Sequence, residues 1–250
     1  MSKLSPLYKK SYSPYTEWDP TTVQFCRLPD FYSFEIEKLR SQILEVGGKV
    51  GYFPLNKIDA TFDKRYNGFG FTSRNSAPDP DHDAFRLYNE NGEFDSSSCL
   101  NKTMNQLLSE EPIHKFERNF TEKTKHYGGY LDKVLSRFKS PMTKVRVMKL
   151  DPGGIVPKHF DYPYYENIRV HAAIETNTNV EWKVEDQTFS IPADGNFYWF
   201  DTGRFHQVSN FGNSPRIVLS VHLSIYKNFD GSIRLDSKSD LQSAIQQCLL

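Results

Sequence analysis

Cysteine is scarce in this chain. There are three in 250 residues, Cys26, Cys99 and Cys248, far apart and with no CxxC pair. A disulfide framework or a thiolate zinc site therefore has little to build on. Long apolar runs are missing as well. No stretch reaches the roughly 18 apolar residues of a membrane-spanning helix. Neither sign of charge is in excess. Lys+Arg and Asp+Glu both number 31, giving a formal net charge of +0. That balance calls for neither nucleic acid nor an anionic membrane as partner. The opening Met-Ser-Lys-Leu-Ser-Pro-Leu-Tyr-Lys-Lys lacks the apolar core of a secretory signal. A reducing cytoplasm is the expected setting. Internal repeats and low-complexity segments are absent too.

What is present suits a folded globule. The 38% hydrophobic and 14% aromatic content can fill a sizeable core, and the expectation is one domain over residues 1–250. Texture changes near residue 140. Residues 1–140 are helical and loop-rich, 141–230 read as a β core, and 231–250 as a tail or helix. Residues 31–46 predict a helix with Asp30 as N-cap, with Ile36, Leu39, Ile43 and Val46 on one face and Gly47-Gly48 as its end. Residues 49–60 suggest one or two strands. The stretch 67–91 is rich in Gly, Ser, Asn, Asp and Pro. It reads as a long loop, the kind that serves as a lid; Arg74 and Arg86 within it would close over a small anionic group. Residues 121–138 predict a second helix, with Tyr127, Leu131, Val134, Leu135 and Phe138 on one side. Gly128-Gly129 weaken it by about 1 kcal/mol each relative to Ala.

Strands are expected at 144–150, 168–176, 180–184, 187–191, 196–200, 206–210 and 216–226, with Glu185-Asp186 as a hairpin turn. Many short strands punctuated by turns argue for a sandwich or barrel. The fold class is therefore α+β, mainly β: a double-stranded β-helix of the jelly-roll or cupin-like kind, with the N-terminal helices packed on one outer sheet face.

The chemistry concentrates at His159, Asp161 and His206. Alternate residues of an extended segment point to one face, so His159 and Asp161 aim together. The Asp201-Thr202-Gly203 turn brings His206 to them. Two imidazoles and one carboxylate cover one face of an octahedral metal and leave three positions open, the arrangement of non-heme Fe(II) oxygenases. Arg216 stands on the next strand, where a guanidinium can clamp a carboxylate with two parallel hydrogen bonds. A dicarboxylate that reaches the metal with one end and Arg216 with the other is 2-oxoglutarate.

These residues sit in longer motifs. Pro152-Gly153-Gly154-Ile155-Val156-Pro157-Lys158-His159-Phe160-Asp161 comes first, then Ile168-Arg169-Val170-His171. Trp199-Phe200-Asp201-Thr202 then leads into His206-Gln207-Val208-Ser209-Asn210, and Arg216-Ile217-Val218-Leu219 follows. In that order the region from about 145 to 224 resembles the aspartyl/asparaginyl β-hydroxylase family of 2-oxoglutarate/Fe(II) oxygenases. The resemblance implies that His159, Asp161 and His206 bind iron and that Arg216 pairs with the distal carboxylate of 2-oxoglutarate. It implies that His171 contacts the cosubstrate near the metal, and that Arg169 meets a carboxylate of cosubstrate or substrate. Fe(II), 2-oxoglutarate and O2 are the implied cofactors. The implied reaction is hydroxylation of an amino-acid side chain, free or in a peptide, with release of succinate and CO2. An intact Asp161 argues against halogenation, which needs that coordination position.

Other residues have plainer readings. Trp199 and Phe200 are expected in the core, and Asp201 as a turn cap or a support for His206. His222 is expected in core or surface, and His82 in solvent or in a lid. Tyr162, Tyr164 and Tyr165 are expected as packing or pocket lining. Two other functions fit the fold: a non-catalytic metal- or ligand-binding jelly-roll, and a Mn or Zn isomerase. The first has no need of a dicarboxylate clamp, and dependence on O2 would tell an oxygenase from the second.

Overall fold

Strict alternation decides the second half of the chain. Residues 180–184 place Val180, Trp182 and Val184 inward and Glu181 and Lys183 outward, which is what a strand with one wet face requires. The structure, a computed structural model, describes residues 25–28, 30–55, 63–77, 79–84, 120–138, 140–159, 167–200, 202 and 204–224. In chain order its strands are β1 (Phe25–Arg27), β2 (Phe53–Pro54), β3 (Tyr66–Gly70), β4 (Thr72–Ser73), β5 (Glu122–Lys123), β6 (Met142–Leu150) and β7 (Ile155–His159). They continue as β8 (Asn167–Glu175), β9 (Val180–Val184), β10 (Gln187–Phe189), β11 (Tyr198–Phe200), β12 (His206–Asn210) and β13 (Arg216–Ser224). The helices are α1 (Ile36–Val50), α2 (Pro80–Asp83) and α3 (Gly129–Leu135).

The strands form a large sheet, β1-β11-β8-β13-β6-β3-β2, and a small sheet, β10-β9-β12-β7, besides the β4-β5 pair. All neighbours are antiparallel. From β6 to β13 the chain passes back and forth between the two sheets. That winding is a double-stranded β-helix, and the sequence-based fold class holds. β1 extends the large sheet at one edge, and β3 and β2 extend it at the other.

Two apolar layers hold the fold. On the outer face of the large sheet, Val145, Val147, Val170, Ala172, Leu219 and Val221 pack against Leu39, Ile43 and Val46 of α1 and Leu131 and Val134 of α3. Each such side chain contributes about 1.5–3 kcal/mol on burial. Between the sheets lie Met148, Leu150, Ala173 and Val218 from one side and Trp182, Val184 and Val208 from the other. Among the described residues no helix is long and apolar enough to cross a membrane.

Three sequence expectations need correction. The first helix begins at Ile36, after a 3-10 turn at Asp30–Tyr32, and runs through Gly47-Gly48 to Val50. Those glycines do not stop it. A Cβ on Gly47 would lie 2.5 Å from the Tyr52 hydroxyl, so the residue serves close packing, and Gly51, at φ 75°, ends the helix. The 67–91 stretch is not one loop. Its start belongs to β3, fully buried, followed by β4 and α2, while residues 85–91 lie outside the described residues. The second helix starts at Gly129 and is preceded by β5, although its predicted face does join the core.

Asn210 fixes where β13 begins. Its Nδ2 donates to Leu150 O and to Ser214 O, both at 2.9 Å, and its Oδ1 accepts from Gly212 N at 3.1 Å and from Asn177 Nδ2 at 3.2 Å. Its backbone also pairs with the Gly153-Gly154 turn, where Gly153 adopts φ 74°. Asn210→Ala strands several buried partners. It should lower unfolding free energy by about 3 kcal/mol, read as a drop in urea midpoint at unchanged slope.

Candidate active site

His159 ends β7 and His206 opens β12, and the two are register partners. Their ring centroids lie 4.3 Å apart, inclined at 52°. His159 Nδ1 lies 2.7 Å from Pro157 O, and His206 Nδ1 lies 2.9 Å from Arg204 O. A carbonyl can only accept, so each Nδ1 carries the hydrogen and each neutral ring keeps its lone pair on Nε2. That is the tautomer a metal-binding histidine adopts when its other nitrogen is anchored. Asp161 lies outside the described residues, and among these no group of three His, Cys, Asp or Glu gathers. The structure thus brings two of the three expected ligands together.

The opposite wall is the inner face of the large sheet. Register places Tyr66, Leu150 and Arg216 in one row, Arg146, Ser220 and His171 in a second, and His222 beside Arg169 in a third. Alternation turns Arg216, Ser220 and His222 to the same side as Val218, into the space between the sheets. All of Arg216, His171, Arg169 and His222 are buried.

Arg216 is the most telling of them. It is 1% exposed and, among the described residues, the largest fully buried side chain. Its guanidinium carbon sits 4.2 Å from the centre of the Trp182 ring. Among the described residues its Nε and Nη2 have no hydrogen-bond partner. Burial pulls its pKa down to about 10, against the opposing influence of Tyr66, so the group is still a cation near neutrality. A buried cation without an acceptor costs several kcal/mol. The indole face returns about 2 kcal/mol at best. An anion brought to the guanidinium would offset that cost.

His171 lies next to it. Burial, and then Arg216, Arg169, His222 and His206 in that order, holds its pKa well below the usual histidine value. The ring is therefore neutral. It stacks on Phe200 at 4.7 Å and meets Trp182 edge-on at 5.4 Å. Phe200 also lies 5.7 Å from His206. An unbroken run of ring contacts thus links the His206 imidazole to the guanidinium: His206, Phe200, His171, Trp182, Arg216.

Phe200 and Trp182 were not among the expected site residues. An aromatic on a strand reads as core by default, and only the three-dimensional pairing reveals the contact with imidazole and guanidinium. Trp199 does lie in the core. Arg74 has a carboxylate partner in its own chain. It forms a 2.9 Å ion pair with Asp83, which is 0% exposed. His82 sits on Asp79 and against Phe53. Arg86, Tyr162, Tyr164, Tyr165 and Asp201 lie outside the described residues.

A double-stranded β-helix with paired histidines on its small sheet and a buried cationic row on its large sheet is an oxygenase-like jelly roll. The sequence model for aspartyl/asparaginyl beta-hydroxylase matches residues 71–224. The chain belongs to that family. No curated protein matches the sequence. Among solved structures it is similar to an oxidoreductase of the 2OG-Fe(II) oxygenase family from Burkholderia pseudomallei, at 13% identity over 90% of this chain and 94% of that one, with a TM-score of 0.45. It is also similar to the Cupin_2 domain of an XRE family transcriptional regulator from Enterobacter cloacae, at 16% identity, 33% and 80% coverage and a TM-score of 0.28. A cupin domain from Bordetella pertussis Tohama I gives 17% identity, 33% and 81% coverage and a TM-score of 0.28.

Proposed function

We propose that the protein is an Fe(II)- and 2-oxoglutarate-dependent dioxygenase. It would hydroxylate a C–H bond of an amino acid or amino-acid side chain and release succinate and CO2. The observation that carries this reading is the buried Arg216 guanidinium, short of acceptors, joined through Trp182, His171 and Phe200 to a metal-ready histidine. A jelly roll that only bound a metal would have no use for that guanidinium.

His159 and His206 would hold Fe(II) through Nε2, with Asp161 as third ligand. When bound, iron, 2-oxoglutarate and O2 supply the oxidising chemistry. The protein's own work is placement. Arg216 would receive the distal carboxylate on two parallel N–H groups. Trp182 covers the guanidinium and keeps water from competing. His171, neutral and with Nδ1 short of a partner among the described residues, would meet the cosubstrate near the metal. Arg169 would add positive potential, and with His222 a polar row for a second acidic group. A free amino acid or small derivative is the favoured substrate.

The test is a succinate-release screen under Fe(II), ascorbate and O2 against amino acids and short peptides. One compound should release succinate and gain one oxygen in equal amounts. A metal-stripped, folded sample that released succinate equally well would overturn the reading.

A further inference from the structure

In β7 the rule of alternation and the position of His159 conflict. Val156 is buried and belongs to the layer between the sheets. Strict alternation from Val156 would bring Lys158 inward and turn His159 outward. The register shows the opposite. Val156 pairs with Val208, and His159 pairs with His206. Three steps along β7 therefore match two along β12, and Pro157 and Lys158 together oppose Gln207. That is a β-bulge, which re-aims the side chain that follows it. Two features hold it. Pro157 has no N–H to give to the ladder, and proline within sheets is confined to edges and bulges. Lys158 is exposed, and its ammonium lies 5.2 Å from the centre of the Phe205 ring. Phe205 adjoins His206 and by alternation faces the other way. A lysine turned inward would instead bury its charge beside two imidazoles, at a high desolvation cost.

We propose that Lys158 is a positioning residue: held outside over Phe205, it keeps the bulge in β7 and with it the inward aim of His159. This rests on the iron reading and adds to it the reason why the histidine points inward. The Pro157 carbonyl that anchors His159 Nδ1 at 2.7 Å lies in the same bulge. Aim and tautomer are thus set by one irregularity of the strand. An apolar residue at position 158 removes the penalty against regular pairing. The strand then gains by turning that residue inward, and His159 moves to the outer face.

The experiment measures Fe(II) affinity without O2, by competition with a chelating dye, and the melting temperature of the metal-free protein. Lys158→Val should bind Fe(II) at least about tenfold more weakly than the wild type, the scale of losing a group that orients a ligand. Its metal-free melt should equal or exceed that of the wild type, because an apolar side chain gains burial. Lys158→Arg keeps a cation over the ring and should bind Fe(II) within about threefold of the wild type. Wild-type affinity in Lys158→Val would overturn the role of Lys158 alone. So would a loss in Lys158→Arg as large as that in Lys158→Val, since the outward cation would then not matter. A metal-free melt that fell together with the affinity would reduce Lys158 to a support of the fold. A wild-type affinity for Fe(II) that His159→Ala left unchanged would overturn the iron site itself, and the role of Lys158 with it.

Discussion

Arg216→Met should bind 2-oxoglutarate at least about a hundredfold more weakly than the wild type and, without ligand, melt at a higher temperature. The two effects share one cause. In the ligand-free fold the guanidinium is fully buried, has its carbon 4.2 Å from the centre of the Trp182 ring, and leaves Nε and Nη2 without acceptors among the described residues. Its desolvation is not repaid. Methionine fills a similar volume, keeps a favourable sulfur contact with the indole, and carries no charge. Replacing buried ionic groups by apolar ones of like shape is often stabilising by about 1–4 kcal/mol. The binding loss comes from the other side of the balance. A dicarboxylate entering the variant would bury one end unpaired, a penalty of about 3–5 kcal/mol, or roughly two to four powers of ten. Thermal melts with and without ligand separate the effects. The wild type should gain about 2.7 kcal/mol of stability at a ligand concentration of 100 times Kd, and the variant should gain almost nothing at the same concentration. A variant that lost stability and kept its affinity would mean that the guanidinium serves the fold rather than a ligand.

The sequence showed the β core more clearly than the site around it, for physical reasons. Residues 180–184 and 206–210 matched β9 and β12 to the residue, because alternation over a half-wet sheet leaves one possible phase. β3 was missed because Tyr-Asn-Gly-Phe-Gly has loop composition. Gly70 serves a close approach, since a Cβ there would lie 3.0 Å from Ala84 Cβ. With β3 went Tyr66, whose place in one register row with Leu150 and Arg216 depends on a pairing with β6 that no local pattern encodes. The same limit applies to Trp182. Its inward phase could be read, yet the partner that makes it matter comes from a strand of the other sheet. His222 was read as core or surface. It is fully buried, and its register places it opposite Arg169 on the inner wall. Arg74 reads as a free cation in a loop until the fold delivers Asp83 to it.

The largest effect on iron should come from His206→Ala. The variant should lose Fe(II) on desalting and release no succinate above background. Three observations favour a ligand over a packed core histidine. It is register-paired with His159 at 4.3 Å between ring centroids, closer than packing alone requires. Its Nδ1 is tied to Arg204 O, so the lone pair is held on Nε2. His159 repeats the arrangement with Pro157 O on the adjacent strand. Two rings locked in the same tautomer, side by side, form half of a chelate. Loss of a mere supporting partner at a metal site costs about 10–100-fold in affinity, and loss of a ligand should exceed that. Metal content by atomic absorption is the readout, with near-ultraviolet circular dichroism to confirm packing. His222→Ala is the control: it removes an equally buried imidazole from the opposite wall and should keep its iron. Asp161→Ala extends the test to the third expected ligand and should shed iron as His206→Ala does. Wild-type iron in both His206→Ala and Asp161→Ala would place the metal elsewhere. Iron lost from His222→Ala as readily as from His206→Ala would make the loss a general effect of opening the core.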